Sequence, residues 1–244
     1  MNKQLIQSIH IDWDRIGRNS YLRDIEAIKD VQEITFRCPV TFLAGENGSG
    51  KSTLLEAIAI ACGFNPEGGT RNYAFSTYDS HSDLYQAIRL TRGYRQIRWG
   101  YFLRAESFYN VATKEEEYSR GPGGIPQHYH EKSHGESFLA LVQQQFRGGG
   151  LYLLDEPEAA LSPQRQLTLF MEISRCAKEG AQFIIASHSP VLLAMPDAQI
   201  LSFDGGRIHP CAYEETGSYE VIEMMINHRE QMLRWLMKGE TVYG

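Results

Sequence analysis

The sequence predicts an α/β fold, a mixed and mostly parallel sheet flanked by helices, and three stretches carry that prediction. Residues 40–62 pass from a short apolar run through a glycine-rich turn into apolar residues at helical spacing. LYLLD at 151–155 and QFIIA at 182–186 are continuous apolar runs on either side of a helical pattern. Strands buried on both faces of a parallel sheet have this unbroken apolar character, whereas half-buried strands alternate. The 244 residues are read as one domain, residues 1–244, because ~150 residues per domain is only a soft guide. An apolar fraction of 42% and a charged fraction of 22% permit a sizeable core without covalent or metal staples.

Taken in order, Ile9, Ile11 and Trp13 alternate with polar residues and predict an early half-buried strand. Short β-rich runs follow at Ile34 to Phe36 and at Val40 to Leu43, the second entering the glycine-rich turn. Leu54, Leu55, Ile58 and Cys62 predict a helix from Ser52, which Gly63 and Pro66 stop. Residues 67–135 are less regular, with a helix expected from Asp83 to about Arg92, the strand-like IRWGYFLRA, the charged run KEEE and the loop GPGGIP. With the helix expected next, to about Arg147, they form an inserted region of approximately 67–147. GGG at 148–150 breaks that helix before LYLLD. Ser162 and Pro163 make an N-cap and first-turn pair for a helix through Lys178.

Near the C-terminus, over 219–238, Val221, Ile222, Met225, Ile226, Leu233, Leu236 and Met237 fall on one stripe of an expected helix. Such stripes are most often core packing, and a partner or dimer helix is the sharper alternative.

Composition excludes several classes of function. The longest apolar runs, such as AIAIAC and VLLAM, fall far short of the ~20 residues a membrane-spanning helix needs. The N-terminal stretch lacks the apolar core of a secretory leader, so a cytoplasmic protein is expected. Cys38, Cys62, Cys176 and Cys211 are scattered without a C-x-x-C pair, which argues against disulfides and zinc knuckles. A net charge of −6 argues against a protein that coats nucleic acid by bulk electrostatics.

GENGSGKS, Gly45 to Ser52, matches G-x-x-x-x-G-K-[ST] between a strand and a helix, the setting that this phosphate-binding pattern requires. Glycines let the N–H groups of Gly45, Glu46, Asn47, Gly48, Ser49 and Gly50 turn inward around phosphate oxygens, and the helix start at Lys51, Ser52 and Thr53 adds positive potential. Lys51 is expected on the β- and γ-phosphates and Ser52 on Mg²⁺. LYLLD delivers Asp155 and Glu156 to a strand end, where one acid can hold Mg²⁺ and the next can orient an attacking water. IIASHSP delivers His188 to the same edge, because neighbouring parallel strands line one crevice with their carboxyl ends.

GENGSGKST, SHGES at 133–137, LYLLDEPEAALS and IIASHSP, in that order, resemble the ABC-type ATPases, more closely their soluble branch with SMC and RecF-like proteins and the bacterial AAA-family ATPases. The resemblance spans about residues 34–203. It implies a P-loop fold with a small helical signature region, ATP and Mg²⁺ as cofactors, and ATP hydrolysis. Lys51 and Ser52 become the Walker A ligands, Asp155 the Walker B metal partner, Glu156 the catalytic base and His188 the switch residue. Ser133, His134, Gly135 and Glu136 become the signature, acting in trans on a second subunit's nucleotide in an ATP-dependent homodimer. Residues around Ala160 and Leu161 become the D-loop. Glu106 stands roughly where the family has its Q-loop glutamine, a departure that still leaves an acid able to reach the metal.

Other features carry competing readings. His128, His130 and His134 invite a metal site, but no cysteine or further carboxylate completes a ligand set. Arg89, Arg92, Arg95, Arg98 and Arg104, near Tyr94, Trp99 and Tyr101, suit a nucleic-acid grip, with internal ion pairs or a solvated face the favoured reading in an acidic chain. Tyr21, Trp13 and Phe36 compete as the adenine-stacking residue. What ATP drives is left open between a DNA-related or defence process, a membrane transporter's nucleotide-binding subunit, and a nucleotide-gated interaction protein with little hydrolysis.

Overall fold

The computed structural model describes residues 3–70, 82–105 and 134–238. Seven strands form the main sheet: β3 (Val40–Ala44), β4 (Gly69–Thr70), β6 (Gly100–Arg104), β7 (Leu151–Asp155), β8 (Gln182–Ala186), β9 (Gln199–Ser202) and β10 (His209–Pro210). Their order is β10-β9-β3-β8-β7-β6-β4, parallel from β9 to β6 and antiparallel at the two edge strands β10 and β4. A second, antiparallel sheet has the order β2-β1-β5, with β1 (Ile6–Ile11), β2 (Glu33–Thr35) and β5 (Ile88–Arg92).

The chain therefore has the α/β architecture that its apolar runs predicted. Every residue of β3, β7 and β8 is buried, and alternate side chains feed two cores. Leu43, Leu151, Leu153 and Ile184 pack with α1 (Lys51–Ala61) and the small sheet. Phe42, Tyr152, Leu154 and Phe183 pack on the opposite face with α3 (His134–Gln145) and α4 (Pro163–Lys178). The remaining α-helices among the described residues are α2 (Leu84–Ala87), α5 (Pro190–Leu193), α6 (Gly217–Asn227) and α7 (Arg229–Lys238). Among the described residues no helix is long and apolar enough to cross a membrane.

Several expectations are corrected. The helix expected from Asp83 to Arg92 ends at Ala87, because Ile88 and Leu90 are taken into a ladder opposite Ile11 and Ile9. Strand pairing overrides a weak helical pattern whose apolar residues also fit a period of two. The early strand ends at Ile11, and Trp13 opens a single 3-10 turn instead. The C-terminal helix is two helices, broken at His228, whose backbone leaves helical geometry at φ −131° and ψ 34°.

Its stripe is not core: Val221, Ile222, Ile226, Leu233, Leu236 and Met237 are all exposed, Ile226 by 74% and Met237 by 87%. Residues 67–147, expected as an insertion, supply β4 and β6 to the main sheet and β5 to the small one.

Candidate active site

Strand register assembles the site. Leu43 lies opposite Ala186, Ala186 opposite Asp155, and Asp155 opposite Arg104, so β3, β8, β7 and β6 end at one level. Whatever follows each strand is delivered to one edge: the glycine-rich loop after β3, Glu156 after β7 and His188 after β8. In a parallel sheet this edge is the crevice where ligands bind.

The loop's shape depends on its glycines. Gly45, Gly48 and Gly50 have φ of 140°, 82° and 97°, values that side chains with a Cβ rarely adopt. A Cβ on Gly50 would come within 2.7 Å of the Ile25 side chain, and one on Gly45 within 2.9 Å of Asp204. Asp204 fixes the loop from the far side, its Oδ1 accepting from the Glu46 N–H at 3.1 Å. This acid escaped the sequence reading, although it too follows an apolar strand, as Asp155 does.

Lys51 begins α1 and is 3% exposed, and its ammonium donates to the carbonyls of Gly45 and Glu46 at 2.7 and 2.6 Å. Burial pulls its pKa below the usual lysine value, and Glu156, Asp204, Asp155 and Glu158 pull the other way. A buried cation held by carbonyls of the loop it anchors is well placed to exchange them for phosphate oxygens.

Ser52 donates its hydroxyl to Asp155 Oδ1 at 2.7 Å. The pair supplies a hydroxyl and a carboxylate oxygen side by side, ligand types that suit Mg²⁺, so these residues fit the metal. Arg104 Nε lies 3.6 Å from Asp155 Oδ2, while its Nη1 pairs with Glu56 at 2.6 Å. Glu156 turns the chain away from β7 with φ 47° and ψ 50°, a left-handed conformation that is strained in a residue other than glycine. Its N–H is held by the Ala186 carbonyl at 2.9 Å, so the strain is locked in by the next strand. His188 lines a cleft with Gly45, Glu46, Asn47, Asp204 and, from α6, Ile222.

Gly135 and Glu136 sit in the first turn of α3. Gly135 is buried so closely that a Cβ would come within 2.6 Å of Arg165 Nη1 and 3.2 Å of the Ala160 carbonyl, while Glu136 pairs with Arg165 at 3.0 Å. Thus α3 packs on α4 and on the turn Pro157–Ala160 within the same chain. Glu106, Ser133, His128, His130 and the run Lys114 to Glu117 lie outside the described residues, as does the side chain of His134. Among the described residues no group of three or more histidine, cysteine and acidic side chains gathers into a metal site.

Of the arginines, Arg89 pairs with Asp12 at 2.7 Å, Arg95 donates to the Lys3 and Gly180 carbonyls, and Arg104 is engaged as above; Arg92 and Arg98 are exposed. Phe36 is fully buried and cannot stack on a base, and Trp13 has the Arg23 guanidinium 5.7 Å over its ring. Tyr21 is 58% exposed.

A family model described as an AAA domain matches residues 21–145, which include the glycine-rich loop, α1 and the whole of α3. The chain belongs to the AAA-domain family. A second AAA-domain model, whose description associates it with the AbiEii toxin of a type IV TA system, matches residues 123–194 and takes in Asp155, Glu156 and His188. The family is one of P-loop ATPases, and the order of the chain's motifs resembles that of ABC-type members.

Curated relatives are ATP-binding proteins. A ribose import ATP-binding protein of Bacillus cereus is 22% identical over 241 residues, covering 89% of this chain and 48% of its own. A cytochrome c biogenesis ATP-binding export protein of Legionella pneumophila is 28% identical over 185 residues, covering 68% of this chain and 89% of its own. The chain thus spans about half the length of the ribose import protein. Among solved structures, the SMC head domain from Thermotoga maritima is similar at 16% identity, 85% and 98% coverage and a TM-score of 0.44. An ATP-binding cassette of an ABC transporter is similar at 18% identity, 93% and 97% coverage and a TM-score of 0.48.

Proposed function

We propose that this AAA-domain protein is a Mg²⁺-dependent ATP-binding and hydrolysing switch. The observation that supports it best is the register that brings Lys51, Ser52, Asp155, Glu156 and His188 to one edge of the main sheet. In this reading Gly45 to Thr53 cradle the phosphates, and Lys51 leaves the Gly45 and Glu46 carbonyls for the β- and γ-phosphates. Ser52 and Asp155, with Glu106, would hold Mg²⁺, which when bound would offset the charge on the phosphate oxygens. Glu156 orients the attacking water and accepts its proton, and its fixed left-handed backbone keeps the carboxylate in place. His188 reads the presence of the γ-phosphate.

Two copies pair head-to-tail, with two ATP between the glycine-rich loop of one and Ser133, His134, Gly135 and Glu136 of the other. The start of a helix offers N–H donors to an anion, and the packing of Gly135 on Arg165 and Ala160 of its own chain supports sending those donors to a partner's nucleotide. Loss of phosphate contacts after hydrolysis reopens the pair. Steady-state hydrolysis by the wild type and by Lys51→Ala tests the core of this: wild-type turnover that disappears in the variant is expected, and equal rates would end the proposal.

The work driven is DNA-related or defensive in our reading, which the second AAA-domain match supports. The names of the import and export relatives favour another, a transporter's nucleotide-binding subunit in the cytoplasm. Co-purification with a membrane permease would decide for the transporter. An ATP-dependent, salt-sensitive shift of duplex DNA would decide for the first. A wild type that binds ATP and turns it over hardly at all would favour a nucleotide-gated interaction protein.

A further inference from the structure

Glu158 had no role in the motif reading, yet it is one of the most heavily engaged side chains near the site. It lies in the 3-10 turn Pro157–Ala160 that follows Glu156, and its side chain is 5% exposed. A single oxygen, Oε1, accepts from the Ser187 hydroxyl at 2.8 Å, the His188 N–H at 2.8 Å and the Ser189 N–H at 3.2 Å. The same oxygen lies 3.4 Å from His188 Nδ1. Three consecutive residues of the loop after β8 are thus gathered on one carboxylate from the turn after β7. On the other side, Ser218 from α6 donates to the His188 carbonyl at 2.6 Å, and Ser189 donates to Gln166 of α4 at 2.6 Å. Among the described residues Glu158 Oε2 is buried and has no partner.

A buried carboxylate is costly unless donors surround it, so this one persists only because the loop supplies them. A carboxylate facing one ring nitrogen of a histidine keeps the proton on that nitrogen and fixes the ring's orientation. We propose that Glu158 is the positioning residue for His188: it sets the backbone and tautomer of the switch histidine and ties it to the turn holding Ala160, so that turn and loop move as one piece. This rests on the ATPase reading for its consequence, although not for its geometry.

Two measurements test it. In ¹⁵N-histidine NMR of the nucleotide-free protein, the His188 resonance, assigned by its loss in His188→Ala, is expected to report a proton on Nδ1. Glu158→Gln and Glu158→Ala should shift that population toward Nε2. In hydrolysis assays Glu158→Ala should lower kcat by about tenfold to a hundredfold, the range for losing a histidine's outer partner, with KM changed less than about threefold. The double variant Glu158→Ala/His188→Ala should be no slower than His188→Ala alone, and Glu158→Gln should recover part of the rate, since its amide oxygen still accepts the two N–H groups. An unmoved His188 resonance, or losses that multiply in the double variant, would show that Glu158 only braces the fold. If the wild type fails to hydrolyse ATP, the ATPase reading falls and the NMR result alone decides the positioning claim.

Discussion

The carboxyl edge of the main sheet and the C-terminal helix pair are both built from strongly patterned sequence, and they behave differently. At the sheet edge, β3, β7 and β8 are buried along their whole length and hydrogen-bonded on both sides, so a one-residue slip would misplace every side chain at once. The apolar runs therefore fix where Lys51, Asp155 and His188 stand relative to one another. In α6 and α7 the spacing fixes only that helices form. Their stripe is exposed at every position but the half-buried Met225, and among the described residues of the two helices only Met232, off the stripe, is buried. Periodicity reveals a face, and only packing reveals what covers it.

Stability should separate the two regions most. Leu153→Ala, fully buried in β7, is expected to cost about 2–5 kcal/mol in chemical denaturation, since a large-to-small change leaves a cavity. A cost below about 1 kcal/mol would mean the sheet does not hold the edge rigidly. Next comes Lys51→Ala, expected to lower turnover by about 10²–10³-fold, the range for deleting one preorganised donor to developing charge.

A smaller effect concerns pH. Because burial holds the Lys51 ammonium below the ordinary 10.5, its proton is lost sooner as pH rises. ATP affinity should then decline on an alkaline limb beginning below pH 10.5, and Lys51→Arg should remove that limb because guanidinium does not titrate there. A limb unchanged in Lys51→Arg would assign it to another group. The smallest effect belongs to the periphery: Ile226→Ser in α6 should alter stability by no more than about 0.5 kcal/mol. A loss above about 1.5 kcal/mol would show the stripe to be covered in solution.

The same contrast explains which parts of the molecule were legible beforehand. The strand at 151–155 and the helices after the glycine-rich loop and after Ser162 follow from buried runs and glycine-dependent turns, and with them the placement of Lys51, Ser52 and Asp155 at the sheet edge. The passage from Asp83 to Arg92 was misread because Ile88 and Leu90 fit two periods, and β1, far away in sequence, chose between them. Asp204 and Glu158 could not be picked out, since each acts through a partner distant in the chain, Glu46 and His188, whereas Arg104 makes the internal ion pairs that were the favoured reading of the arginine group. An isolated acid or arginine carries no periodic signal, and its importance comes from the register that places it.

The account's central claim is that ATP closes two copies around the edge assembled by β3, β7 and β8. Light scattering of Glu156→Gln with and without Mg·ATP tests it most directly. The account predicts a mass rising from 27.8 kDa to twice that value, with one nucleotide retained per chain. A chain that binds ATP and stays at 27.8 kDa would contradict it.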